Sequence, residues 1–108
     1  MSDRELLELA ATAAGIGERE YADDFLGFAY GERDGYWNPL TDDGDALRLA
    51  VKAQIDISFG FPDGIVHVVY PDEPCHEPDI YEDMGGDPYA ATRRAIVRAA
   101  AEIGREMS

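Results

Sequence analysis

Apolar residues at Leu6, Leu9, Ala10 and Ala13 recur at i, i+3, i+4 and i+7, the spacing that lines one face of a helix. Ser2 followed by Glu5 has the form of a capping box, in which each side chain satisfies a backbone N–H at the helix start. Gly15 supplies the left-handed residue that ends such a helix, with Ile16 folding back on the last turn. The spacing therefore predicts a first helix over about residues 3–14. From Phe25 to Tyr30 the period changes to two, with Leu26, Phe28 and Tyr30 on one face of a strand, and residues 31–35 read as a turn leading to Tyr36 and Trp37. Beyond Pro39, the acids Asp42, Asp43 and Asp45 crowd the start of a second helix, where backbone dipoles favour negative charge. Leu47, Ala50, Val51 and Gln54 set its expected buried face, and it covers about residues 42–53.

The strictest alternation in the chain is Ile55, Ile57, Phe59 and Phe61 against Asp56, Ser58 and Gly60, which predicts a strand with one face in the core and one in water. Pro62-Asp63-Gly64 combines a fixed φ, a side chain that caps its own backbone and a residue tolerant of positive φ, so it predicts a turn. Residues 65–70 form the hairpin partner. That strand is apolar on both faces apart from His67, the pattern of an interior strand with a partly buried histidine. The stretch from Pro71 to Gly86, rich in Pro, Gly and acids, reads as a linker. Asp87 as N-cap and Pro88 at the first helical position open a last helix. Its apolar face is Tyr89, Ile96, Ala99, Ala100, Ile103 and Met107; its other face carries Arg93, Arg94, Arg98 and Arg105.

The element order α-β(β)-α-β-β-α predicts an α+β domain with a small antiparallel sheet packed against helices. A chain of 108 residues holds one hydrophobic core, so residues 1–108 are read as a single acidic domain.

Charge changes the functional picture more than the fold. Nine Lys and Arg stand against 23 Asp and Glu, for a formal net charge of −14, which opposes direct binding to nucleic acid or to an anionic membrane. With 45% apolar residues the chain still buries a core, so the acids belong to the surface of a folded domain. No apolar run has the length of a targeting or membrane-spanning segment. The single cysteine, Cys75, leaves no intramolecular disulfide, and the cytoplasm is the expected setting.

Two stretches, together with the opening Glu5-Leu6-Leu7-Glu8-Leu9-Ala10 and Ala13-Ala14-Gly15-Ile16, carry a family resemblance. They are Trp37-Asn38-Pro39-Leu40-Thr41-Asp42-Asp43-Gly44-Asp45-Ala46-Leu47 running on to Val51, and Ala90-Ala91-Thr92-Arg93-Arg94-Ala95-Ile96 running on to Gly104. In these the chain resembles the phage ABA sandwich domain family of small bacteriophage proteins. The resemblance covers roughly half of the chain and is weakest over 55–87. It implies a phage or prophage origin and a layered α/β/α arrangement, and it implies no activity.

From Asp56 to Asp87 there are nine carboxylates and no lysine or arginine, and seven of the acids fall within 72–87. Such a run is either a solvated acidic loop or a surface facing something cationic, since an uncompensated cluster repels itself. The second alternative makes Asp72, Glu73, Glu77, Asp79, Glu82 and Asp83, with Tyr81 or Tyr89 as aromatic anchors, a mimic of the phosphate backbone. Its partner is then a host protein with a basic nucleic-acid-binding groove, such as a CRISPR–Cas component, and the chain a phage-encoded, non-catalytic inhibitor of host defence. Cys75, His76 and the acids around them have metal-ligand residue types without a recognised spacing, so no metal or cofactor is expected. Asp42, Asp43 and Asp45 lack the calcium-loop pattern and read as capping residues. Only His67 and His76 are available as bases for a nucleophile, and no phosphate loop, G-x-S-x-G or H-E-x-x-H occurs, so no enzyme is expected. The alternatives are sequestration of a nucleotide defence signal by Arg93, Arg94, Arg98 and Trp37, and an accessory structural or regulatory role. Pairing of the arginine face with the acids of a second copy would make a homodimer.

Overall fold

The computed structural model describes residues 2–15, 21–22, 27–29, 36–71 and 79–107. Helix α1 spans Asp3–Ala13, with Ser2 accepting the Glu5 N–H at 3.1 Å and returning its hydroxyl to the Glu5 carboxylate at 3.2 Å. Its end at Ala14 is followed by Gly15 with φ +72°, as the glycine required. Ile16 lies outside the described residues. Strands β1 (Tyr21–Ala22), β2 (Gly27–Ala29) and β3 (Tyr36–Trp37) form a small antiparallel sheet in that order. Trp37 is buried.

The run that carried the family resemblance is a self-capping structural unit. Asn38 Oδ1 accepts the Leu40 N–H at 2.9 Å, Asp42 accepts the Asp45 N–H at 2.7 Å, and the buried Asp45 carboxylate accepts the Asn38 N–H at 2.9 Å. Arg48 closes the group by donating to Asp45 at 2.8 Å. Helix α2 therefore begins at Asp43 with Asp42 as its cap and runs to Ala53, where Gln54 takes the left-handed conformation. Its buried face is Ala46, Leu49, Ala50 and Ala53. The expected stripe was rotated: Leu47 and Val51 are 62% and 72% exposed. The buried face follows Leu49 and the three alanines, which face the core beside α3.

The second sheet is β4 (Asp56–Gly60), β5 (Ile65–Val69) and β6 (Asp79–Asp83), antiparallel with β5 in the middle. The central position explains why β5 is apolar on both faces, with Val66 and Val68 fully buried. Gly64, at φ +69°, turns the β4–β5 hairpin. Strand β6 corrects the linker reading of 71–86. Its sequence, Asp-Ile-Tyr-Glu-Asp, has a single aliphatic residue, and strand formation there comes from pairing with β5.

Helix α3 (Pro88–Met107) is opened by Asp87, whose side chain accepts the Ala90 N–H at 3.0 Å. About 30 Å long at 1.5 Å per residue, it packs against β5, β6, α1 and α2 and forms the middle of the molecule. Ala91, Ala95, Ala99, Ala100, Ala101 and Gly104 are buried, and these small residues let neighbours approach its axis from more than one side. The fold class is α+β, with two strands, β1 and β6, more than the sequence order gave. Among the described residues the order is sheet, then α3 with α2 beside it, then α1, and the other face of β4–β5–β6 carries the exposed Asp56, Ser58, Asp79, Tyr81 and Asp83.

Candidate partner-binding surface

The strand register places three cross-strand rows on the open face of the second sheet: Asp56, Val69 and Asp79; Ser58, His67 and Tyr81; Gly60, Ile65 and Asp83. Alternation along each strand sends Ile57, Phe59, Val66, Val68, Ile80 and Glu82 to the helix side. Three of the sequence-selected residues, Asp79, Tyr81 and Asp83, therefore share one surface. Glu82 does not: its carboxylate turns inward and is gripped by Arg98 of α3, which also donates to the Tyr81 carbonyl oxygen. Asp72, Glu73 and Glu77 lie outside the described residues, as do Cys75 and His76.

At the centre of the face, the His67 and Tyr81 rings stack with centroids 4.4 Å apart and planes 13° from parallel. Asp79 Oδ2 holds both, at 3.2 Å from His67 Nε2 and accepting the Tyr81 hydroxyl at 3.3 Å. Aromatic rings fixed by a shared carboxylate form a rigid platform, the kind of side chain that anchors protein interfaces. Around it stand Asp56 and Asp83, exposed, and no strand of this sheet contains a lysine or arginine.

The described arginines are engaged elsewhere. Arg4 pairs with Glu8, Arg48 with Asp45, Arg93 with Asp43, Arg94 with Asp3, Arg98 with Glu82 and Arg105 with Glu102. The arginine face of α3 is thus largely a set of ties to other elements: Arg93 reaches the Leu40 carbonyl and Asp43, and Arg94 reaches α1. Arg93, Arg94, Arg98 and Trp37 do not converge on a pocket for an anion, because the three arginines are engaged with acids and Trp37 is 5% exposed. The same engagements occupy the cations that a homodimer with the acidic segment of a second copy would use.

Sequence reasoning missed Asp56, Ser58 and His67 as members of the face. Their alternation with apolar neighbours was the available signal, but it gained meaning only once β6 stood beside β5. Ser58 sits opposite His67 in the register, yet no side-chain hydrogen bond joins the two. Binding, which needs an accessible patterned surface, is what the arrangement provides. No group of three metal-ligating side chains gathers among the described residues, and no helix among them is long and apolar enough to cross a membrane. No family model, curated protein or solved structure matches the chain.

Proposed function

We propose that the chain is a non-catalytic binding domain that grips a cationic protein surface with the open face of β4, β5 and β6. The observation that carries this reading is the segregation of charge. Each described arginine is held by an acid away from that face, which leaves Asp56, Asp79 and Asp83 around the His67–Tyr81 platform with no lysine or arginine of the described residues paired to them. A patch of one sign on an ordered sheet accelerates encounter with a patch of the other and holds its register after contact. A lysine- or arginine-lined nucleic-acid groove is the partner of matching chemistry. With the phage resemblance, the biological reading is an inhibitor of a host defence protein, a CRISPR–Cas component foremost, acting in the bacterial cytoplasm.

The test is phage plaquing on bacteria that carry active CRISPR–Cas systems of several types and express the chain. Restored plaquing in one of these systems, lost in the Asp56→Lys/Asp79→Lys/Asp83→Lys variant while its circular dichroism and melting stay cooperative, is the expected result. Restoration that survives the triple reversal overturns the sheet-face mechanism, and no restoration in any system overturns the defence reading.

A further inference from the structure

A second surface, on the helix side of β4, has the opposite character. Burial falls steadily along this strand: Ile55 is 8% exposed, Phe59 50% and Phe61, in the turn that follows, 70%, so the strand runs out of the core into solvent. The Phe59 and Phe61 rings stack with centroids 5.8 Å apart. Leu47 of α2 at 62% and Tyr89 of α3 at 71% stand across from them. Between these side chains lies an apolar cleft of about 430 Å³, with Ile57 and Ile96 also contributing to its lining. Aromatic and aliphatic side chains left this exposed around one concavity mark a contact surface, and the volume is that of a site taking a few anchoring side chains.

The charge around the cleft selects its occupant. Asp43 is part of the lining, Asp63 follows Phe61 by two residues and Asp87 precedes Tyr89 by two, all of them exposed. From Ile55 to Thr92 the sequence has no lysine or arginine. Arg93, the cation in the lining, is 17% exposed and bound to Asp43 at 2.6 Å and to the Leu40 carbonyl at 2.9 Å. A second copy of the chain would bring the same acids face to face at a net charge of −14 each, and an anionic ligand meets the same repulsion. A groove bordered by two helices and a strand, with an apolar floor and acidic edges, complements a helix that has apolar anchors on one side and basic residues flanking them.

We propose that this cleft docks a basic amphipathic helical segment of a protein partner, with aliphatic or aromatic anchors seated against Leu47, Phe59, Phe61 and Tyr89 and its Lys or Arg residues facing Asp63 and Asp87. The site is separate from the open sheet face, so it stands or falls independently of the function proposed above.

The probe is a synthetic helical peptide with leucine along one side and lysine along the other, titrated into the full chain and followed by calorimetry and amide NMR. Controls are the same peptide with glutamate for lysine and with serine for leucine. The expected result is saturable binding of the leucine–lysine peptide alone, with shifts centred on Leu47, Phe59, Phe61 and Tyr89. Leu47→Ser and Phe61→Ser, both at exposed positions, should each weaken it by about tenfold or more, whereas Asp79→Lys on the other face leaves it within about twofold. Equal binding of the glutamate peptide, undiminished binding by the two serine variants, or shifts confined to β5 and β6 overturns the proposal. So does sedimentation that finds a dimer dissociated by Phe61→Ser, which would make a second copy the occupant.

Discussion

Gly104 and Asp45 are single positions where packing reverses what the residue type alone would predict. A glycine inside a helix is ordinarily worse than alanine by about 1 kcal/mol. At Gly104, however, a Cβ would lie 1.9 Å from the Leu9 carbonyl oxygen, so α1 and α3 touch backbone to backbone there. Gly104→Ala is expected to destabilise the protein by about 1–3 kcal/mol through this overlap, read as a lower midpoint in urea; an unchanged or higher midpoint would mean the helices separate freely. Asp45 is 2% exposed, and its carboxylate serves both the Asn38 N–H and Arg48. Asp45→Ala orphans a buried donor and should cost about 1–3 kcal/mol, while Asp45→Asn, which keeps an acceptor, should cost less in the same denaturation experiment. The acid that the sequence assigned to capping thus also ties the loop before α2 to the helix.

At the scale of elements, β6 and α2 show how a neighbour decides a role. On β6, Asp79 and Glu82 are both acids in an acidic strand, yet one faces solvent and the other faces Arg98 on α3. Glu82→Lys places two cations together at the strand–helix contact and is expected to lower stability by about 0.5–3 kcal/mol, whereas Asp56→Lys, at an exposed position of the neighbouring β4, should fall within about 0.5 kcal/mol of the parent protein. Thermal melts of the two variants side by side separate the structural acid from the surface acid; equal melting temperatures would remove the distinction. The exposed Leu47 and Val51 on α2 follow from the same rule. Ala46, Leu49, Ala50 and Ala53 form the face that meets the core, and Leu47 and Val51 fall on the opposite side of the helix.

For the whole molecule, the imbalance of charge sets the response to salt. The arginine pairs are short-range and local, while the surplus carboxylates repel one another over longer distances. Raising NaCl from about 0.01 to about 0.15 M shortens the screening length from about 30 to about 8 Å. The melting temperature is expected to climb over this range as the long-range repulsion is removed first. A fall would mean that the ion pairs of the described arginines contribute more than the repulsion does.

Local signals along the chain determined the elements whose ends are written in capping chemistry: Ser2 and Gly15 bound α1, Asp42 opens α2, and Asp87 with Pro88 opens α3. The alternation of 55–61 and the Pro-Asp-Gly turn likewise determined the β4–β5 hairpin, because period and turn residues act over a few positions. Tertiary structure alone decided that 79–83 is a strand, that Arg93, Arg94 and Arg98 of α3 are ties to other elements, and that Asp56, Asp79 and Asp83 share one surface while Glu82 does not. Each of these depends on a partner distant in sequence, with β5 templating β6 and Arg98 drawing Glu82 inward. Local pattern carries no record of such a partner until the chain has closed on itself.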